Sequence, residues 1–205
     1  MRVVIAGGHG KIALLLTARL AARGDSVLGI VRNPDHVDDV RAAGGDAAVV
    51  DLEGASVDEV AAVLAGADAV VFAAGAGPGS GVARKDTVDR AASALVADAA
   101  ERAEVRRFVQ VSAMGLGRAD DPSVGEAFAA YLRAKEAAER DLTARALDWT
   151  ILRPGQLTDD PATGDVRLDE SVPPGAVSRD DVAAVLVSLL DDPATNGRIL
   201  ELTGR

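Results

Sequence analysis

The stretch Gly7-Gly8-His9-Gly10-Lys11-Ile12-Ala13 places three glycines, a histidine and a lysine where a short apolar run hands over to an Ala/Leu-rich segment. A loop of this kind suits one task, holding a phosphate. Gly7 fits a tight turn, and Gly10 lets the backbone approach a pyrophosphate. The opening helix offers unpaired N–H groups near Lys11 and Ile12 and a partial positive charge. Ala13 stands where a small residue lets helix and strand pack closely. The side chains of His9 and Lys11 belong to a solvated loop tip from which either can reach an anion. The pattern is G-x-x-G-x-x-A rather than G-x-G-x-x-G, so its weight comes from its place at the first strand-to-helix crossover. A second signal lies at "GIVRNPDH". The residue closing the second strand of a dinucleotide site contacts the adenosine ribose; an acid there takes the 2′-hydroxyl, whereas an arginine suits a 2′-phosphate. Arg32 occupies that place, which selects NADP(H) over NAD(H).

These residues need elements to hold them. Short apolar runs at Val3–Ala6, Val27–Val31, Ala47–Val50, Ala69–Ala74, Arg107–Ser112, Thr150–Leu152 and Ile199–Leu202 predict strands. Most are continuous, as in strands buried on both faces. Between them, helical periodicity predicts helices at Lys11–Arg23, Asp35–Ala43, Val57–Ala65, Asp86–Ala103, Val124–Ala146 and Arg179–Leu190. Ser56 with Glu59 and Ser123 with Glu126 have capping-box spacing, and Ser178 precedes an acidic first turn. Strict strand–helix alternation means parallel βαβ units and a doubly wound α/β sheet, expected in the order 3-2-1-4-5-6-7. Residues 1–205 are expected to form one domain. Only Gln156–Val177, with three prolines and two glycines, breaks the alternation; its "DDPATGD" predicts a turn between short extended pieces on the substrate side.

Bulk composition narrows the partners. The formal charge is −10 and the chain has no cysteine. An acidic surface argues against nucleic acid and against an anionic membrane, which leaves a small molecule as the expected partner. Thiol chemistry is excluded, and a reducing compartment is allowed. His9 and His36 stand far apart in the chain with no ligand cluster around either, so no metal site is expected. No signal-peptide layout and no apolar span of ~20 residues is present, which predicts a cytoplasmic protein.

Taken nearly end to end, the chain resembles the atypical short-chain dehydrogenase/reductases of the compact NAD(P)H-binding type, also called NAD-dependent epimerase/dehydratase or sugar epimerase. The resemblance rests on "GGHGKIA", "VRNP", "VVDLEG", "VVFAAGAG", "FVQVSAMG", "YLRAKEAAE", "LDWTILRPGQLTDDPATGDV" and "VSRDDVAAVLVSLL". It implies a Rossmann fold and roles for matching positions. Asp51 and Leu52 would hold the adenine, and Ala73, Ala74 and Gly75 would let the ribose lie against backbone. Pro154 and Gly155 would border the nicotinamide. Tyr131 and Lys135 match the family's Tyr-x-x-x-Lys. Residues four apart share a helix face, so the ammonium is expected to lower the phenol pKa and let Tyr131 act as general acid or base. Lys135 would also bind the nicotinamide ribose.

Two positions depart from the family pattern. Its catalytic serine follows strand five in a serine-rich run; here that run is Ser112-Ala113-Met114, with only the first position filled, so Ser112 is expected to touch the cofactor rather than the substrate. Its active-site asparagine is absent, and Asp89 in "KDTVDR" occupies the region, either as an acceptor-only carboxylate of the site or as a solvated helix residue. The reading that follows is an NADP(H)-dependent oxidoreductase acting on a small carbonyl or alcohol. A sugar epimerase or dehydratase, a flavin or tetrapyrrole reductase and a non-catalytic NADP-binding sensor are its alternatives. The epimerase is disfavoured because only about fifty residues follow strand six, too few for a substrate domain of the sugar-nucleotide kind. Substrate contacts are expected from residues 75–84, 115–123 and 156–177. The chain is expected to be a monomer or a homodimer.

Overall fold

A computed structural model describes residues 1–77 and 79–205; Pro78, within the predicted substrate loop 75–84, lies outside the described residues. The strands are β1 (Arg2–Ala6), β2 (Ser26–Val31), β3 (Asp46–Val49), β4 (Ala69–Phe72), β5 (Arg107–Val111), β6 (Asp148–Pro154), β7 (Gln156–Thr158), β8 (Val166–Asp169), β9 (Ala176–Ser178) and β10 (Arg198–Gly204). The helices are α1 (Lys11–Ala22), α2 (Val37–Ala42), α3 (Val57–Leu64), α4 (Val82–Arg84), α5 (Ala92–Arg102), α6 (Glu126–Thr143) and α7 (Arg179–Asp191). The main sheet runs β3-β2-β1-β4-β5-β6-β10-β8. Every pair is parallel except β10–β8. The predicted order holds through seven strands. The eighth, β8, comes from the 156–177 insertion, which also supplies the separate parallel pair β7–β9.

Alternation along each strand divides the core in two. Val3, Ile5, Val71, Val109 and Leu152 point to the face covered by α1 and α7. Val4, Ala6, Val70, Phe72, Phe108 and Ile151 point to the face covered by α3, α5 and the C-terminal end of α6. Few aromatics are needed, because small β-branched strand residues under Ala-rich helices let the layers approach closely. Each Ile, Leu or Phe buried this way contributes roughly 1.5–3 kcal/mol.

Local signals set most boundaries. Ser56 and Glu59 form the predicted capping box, and the Ser178 hydroxyl caps α7 by accepting from the Asp181 N–H. The predicted box at Ser123 and Glu126 does not form. Asp121 captures both the N–H and the hydroxyl of Ser123 in its own turn, and α6 starts two residues later from Gly125. The predicted helix at Asp35–Ala43 divides into a 3-10 turn, Pro34–His36, followed by α2, with the Asn33 side chain accepting from the Asp35 N–H. The helix expected at Asp86–Ala103 begins earlier, at Val82, and widens into a π-helical segment over Lys85–Ala91 before continuing as α5. The wider turn directs Lys85 and Asp89 inward together, and both are buried.

Candidate active site

The carboxyl ends of β1, β2, β3 and β4 surround a cavity of about 380 Å³. Among the predicted cofactor residues, Gly7, His9, Gly10, Arg32, Asp51, Leu52, Ala73, Ala74 and Gly75 all line it. Gly7 has φ +84°, and a Cβ there would lie 2.6 Å from Ala74 Cα, so only glycine makes this turn. Gly8 lets β1 approach β2, since its Cβ would lie 2.6 Å from Gly29 Cα. Gly10 begins α1 with no side-chain cap. The first-turn N–H groups of Lys11, Ile12 and Ala13 therefore have no intrahelical acceptor and no capping side chain. The lysine side chain turns away and pairs with Asp159 at 2.6 Å, while Ile12 packs into the core. These two residues can serve a phosphate through backbone alone.

At the rim, Arg32 is more than half exposed and donates to Glu53 at 3.0 Å. Arg84 donates to the same carboxylate oxygen at 2.7 Å, and the Thr87 hydroxyl to its other oxygen at 2.6 Å. The Thr87 hydroxyl and the Arg84 guanidinium hold Glu53 below the ordinary carboxylate range against some desolvation. Asp51 turns its carboxylate onto the Glu53 N–H and so shapes this corner. Asn33, His36, Glu53, Arg84 and Val88 are lining residues that the sequence reading did not single out. Arg84 was hidden by distance, because only the packing of α4 beside the β3–α3 loop brings it to Arg32. The two histidines, far apart in the chain, meet at this corner. His9 and His36 stack with centroids 3.5 Å apart and planes within 10°. Parallel neighbours β1 and β2 place their carboxyl-end loops side by side, whatever the sequence separation.

A second cluster adjoins the cavity at Gly75. A Cβ on Gly75 would lie 3.2 Å from Asp89 Oδ1, while Asp89 Oδ2 accepts from the Ala76 N–H at 3.2 Å. Lys135 Nζ sits 3.3 Å from Asp89 Oδ1 and donates to the Val111 carbonyl at 3.1 Å. The contact with Asp89 is a charge pair without hydrogen-bond alignment, and Oδ1 has no other partner among the described residues. Lys85 donates to the Gly77 carbonyl at 2.7 Å. The two ammonium nitrogens lie 5.4 Å (Lys85) and 5.9 Å (Lys135) from the centre of the Tyr131 ring. Two of the three lysines in the chain thus flank its only tyrosine.

The electrostatics here reverse one expectation. The Tyr131 phenol is pushed above its ordinary value near 10, first by burial and then by the Asp89 charge. The Lys135 ammonium, paired with Asp89, does not outweigh these two effects. Burial pushes Lys135 itself down, opposed by Asp89. The resting phenol is therefore a neutral donor.

Ser112 and the "RPG" turn are placed differently from the cavity residues. The Ser112 hydroxyl is buried and donates to Glu139, which also accepts from Arg153 Nε at 2.9 Å. That network ties β5, α6 and β6 together. The Gly155 N–H donates to the Leu202 carbonyl at 2.8 Å, and the Pro154 carbonyl accepts from the Met114 N–H at 3.0 Å. A Cβ on Gly155 would lie 2.2 Å from the Gly175 carbonyl, so chain crossing alone requires glycine there. Neither Pro154 nor Gly155 lines the cavity at the ends of β1–β4.

A doubly wound parallel sheet with a glycine-turned cavity at the carboxyl ends of its first four strands defines a dinucleotide-binding fold, and the helix carrying Tyr131 and Lys135 lies beside that cavity. Comparison with known proteins gives the family: the NAD(P)H-binding family model matches residues 7–193, and the chain belongs to that family. It is 35% identical over 204 residues to the uncharacterized sugar epimerase YhfK of Bacillus subtilis, covering 99% of this chain and 94% of that one. Among solved structures, a candidate NAD-dependent epimerase/dehydratase from Bacillus halodurans superposes with TM-score 0.91 at 33% identity, covering 100% and 94% of the two chains. ChuY, an anaerobilin reductase from Escherichia coli O157:H7, gives TM-score 0.81 at 27% identity, covering 100% and 97%.

Proposed function

We propose that this protein is an NADP(H)-dependent reductase of small carbonyl compounds, with residues 1–205 acting as one cofactor-binding unit and Tyr131 as proton donor. The observation that carries the reading is the contact between two sites. The Arg32-lined cavity and the neutral phenol cluster meet at Gly75 and Asp89, so a dinucleotide laid from one toward the other brings its reactive end beside Tyr131. The uncapped start of α1 and the open face of Gly10 fit a pyrophosphate, and Arg32 with Asn33 fits a 2′-phosphate. When bound, the reduced nicotinamide supplies the hydride for the carbonyl carbon.

The chain's own residues handle the proton. Tyr131 holds a proton on its phenol oxygen at neutral pH and releases it to the substrate oxygen as negative charge builds there. The ammonium groups of Lys85 and Lys135 face the phenolate that forms, and Asp89 holds Lys135 in place. Ser112 is engaged with Glu139 and supports α6 rather than the substrate. The similarity to an anaerobilin reductase supports reduction as the reaction class.

The test is NADPH oxidation with small aldehydes, diketones and 2-oxo acids by the wild-type chain and by Tyr131→Phe. General acid catalysis is worth ~10²–10⁴ in rate, so turnover is expected to fall by about that factor with NADPH affinity unchanged. Equal turnover by the variant would contradict the assignment of the proton.

A further inference from the structure

The stacked histidines have no part in the proposed proton transfer, yet they line the cavity beside Arg32 and Asn33. Their environment is well defined. His9 Nε2 lies 2.7 Å from Asp39 on α2, and the ring of His36 covers the ring of His9. The other charges around the cavity are Arg32 at the end of β2, Asp51 and Glu53 after β3, and Arg84 on α4. Asp35 flanks Asn33 through its backbone N–H, and Lys11 is turned away toward Asp159. Two positive charges on rings stacked this closely repel each other. Asp39 offsets a single charge. A dianion against the exposed edge of the pair would offset both.

Resting on the NADP(H) reading, we propose that His9 and His36 form a proton-linked anchor for the cofactor 2′-phosphate, so that binding of a 2′-phosphorylated nucleotide draws a proton from solvent onto the pair. The link gives the site a selectivity that Arg32 alone lacks: preference for the 2′-phosphorylated cofactor strengthens as the solution becomes more acidic. The sign is diagnostic. A phosphate monoester has its second pKa near ~6, so capture of its dianion by arginine alone releases protons. Capture by the histidine pair takes them up.

The experiment uses the wild-type chain with labelled histidine, whose only two imidazoles are His9 and His36. 2′,5′-ADP is the probe and 5′-AMP, which lacks the 2′-phosphate, is the control. At pH 7, 2′,5′-ADP is expected to move the imidazole resonances toward the imidazolium limit, and calorimetry in two buffers of different ionisation enthalpy is expected to show net proton uptake. 5′-AMP is expected to do neither. His9→Gln and His36→Gln assign the resonances, and each is expected to weaken 2′,5′-ADP several-fold while sparing 5′-AMP. Binding of 2′,5′-ADP with unmoved imidazoles and no proton uptake would overturn the inference and leave the cofactor reading standing. Failure of 2′,5′-ADP to bind would overturn both.

Discussion

Tyr131 behaves according to its surroundings, and those are not what a Tyr-x-x-x-Lys spacing alone implies. Four residues of helix bring Lys135 onto the same face, but Asp89, from a different helix, takes the ammonium. The proposed acid is then a half-buried neutral phenol between two lysines. A titration follows from this. The folded phenol binds its proton more tightly than an unfolded one, so its contribution to stability is fully present below the unfolded pKa of about 10 and is lost as pH rises through the folded value. Because Tyr131 is the only tyrosine, the phenolate absorption band reports it alone. Native protein is expected to show almost no phenolate at pH 10, and protein in concentrated urea about half ionisation. Half ionisation in the native state would show that the phenol is not held neutral. Lys85 was illegible in the sequence for the same reason that Asp89 was ambiguous: only the π-helical turn shows that both point inward.

At the scale of elements, the strands were legible because β4 and β1 from Val3 onward are buried on both faces and read as unbroken apolar runs. Capping was legible where the cap had no competitor, as at Ser56 and Ser178. It misled at Ser123, where Asp121 sits two residues upstream and offers a closer acceptor. The insertion was legible as a break but not as sheet, because β8 gains its stability from pairing with β10 far along the chain. Asp181 fastens this insertion. Burial raises its pKa, but the Thr163 and Gly164 N–H groups with the Ser178 and Thr163 hydroxyls outweigh that, and the carboxyl sits below its ordinary value. Its stabilisation is therefore present above the unfolded pKa near 4 and is lost as pH falls through the folded one. Hydrogen bonds to a charged group contribute about 1.5–3 kcal/mol. Asp181→Ala is expected to cost at least that much in urea unfolding and to raise amide exchange at Thr163 and Gly164. Unchanged exchange at both would show that the insertion is held otherwise.

For the whole molecule, a parallel sheet collects the carboxyl ends of its strands on one edge, and that edge gathers residues as distant in sequence as Gly7, Arg32, Asp51 and Gly75. The sheet order was readable from alternation, and so the cavity wall was too. The shared corner of Arg32, Glu53 and Arg84 was not, because it depends on how loops of different length settle against each other. The central claim is that this corner reads a 2′-phosphate, and fluorescence titration of NADPH and NADH into wild-type protein and Arg32→Ala tests it most directly. A charge-assisted contact of about 1.5–3 kcal/mol predicts tighter binding of NADPH than NADH by the wild type. It also predicts a roughly ten- to 150-fold loss of NADPH affinity in the variant with NADH unchanged. Equal losses for both cofactors, or a wild-type preference for NADH, would contradict it.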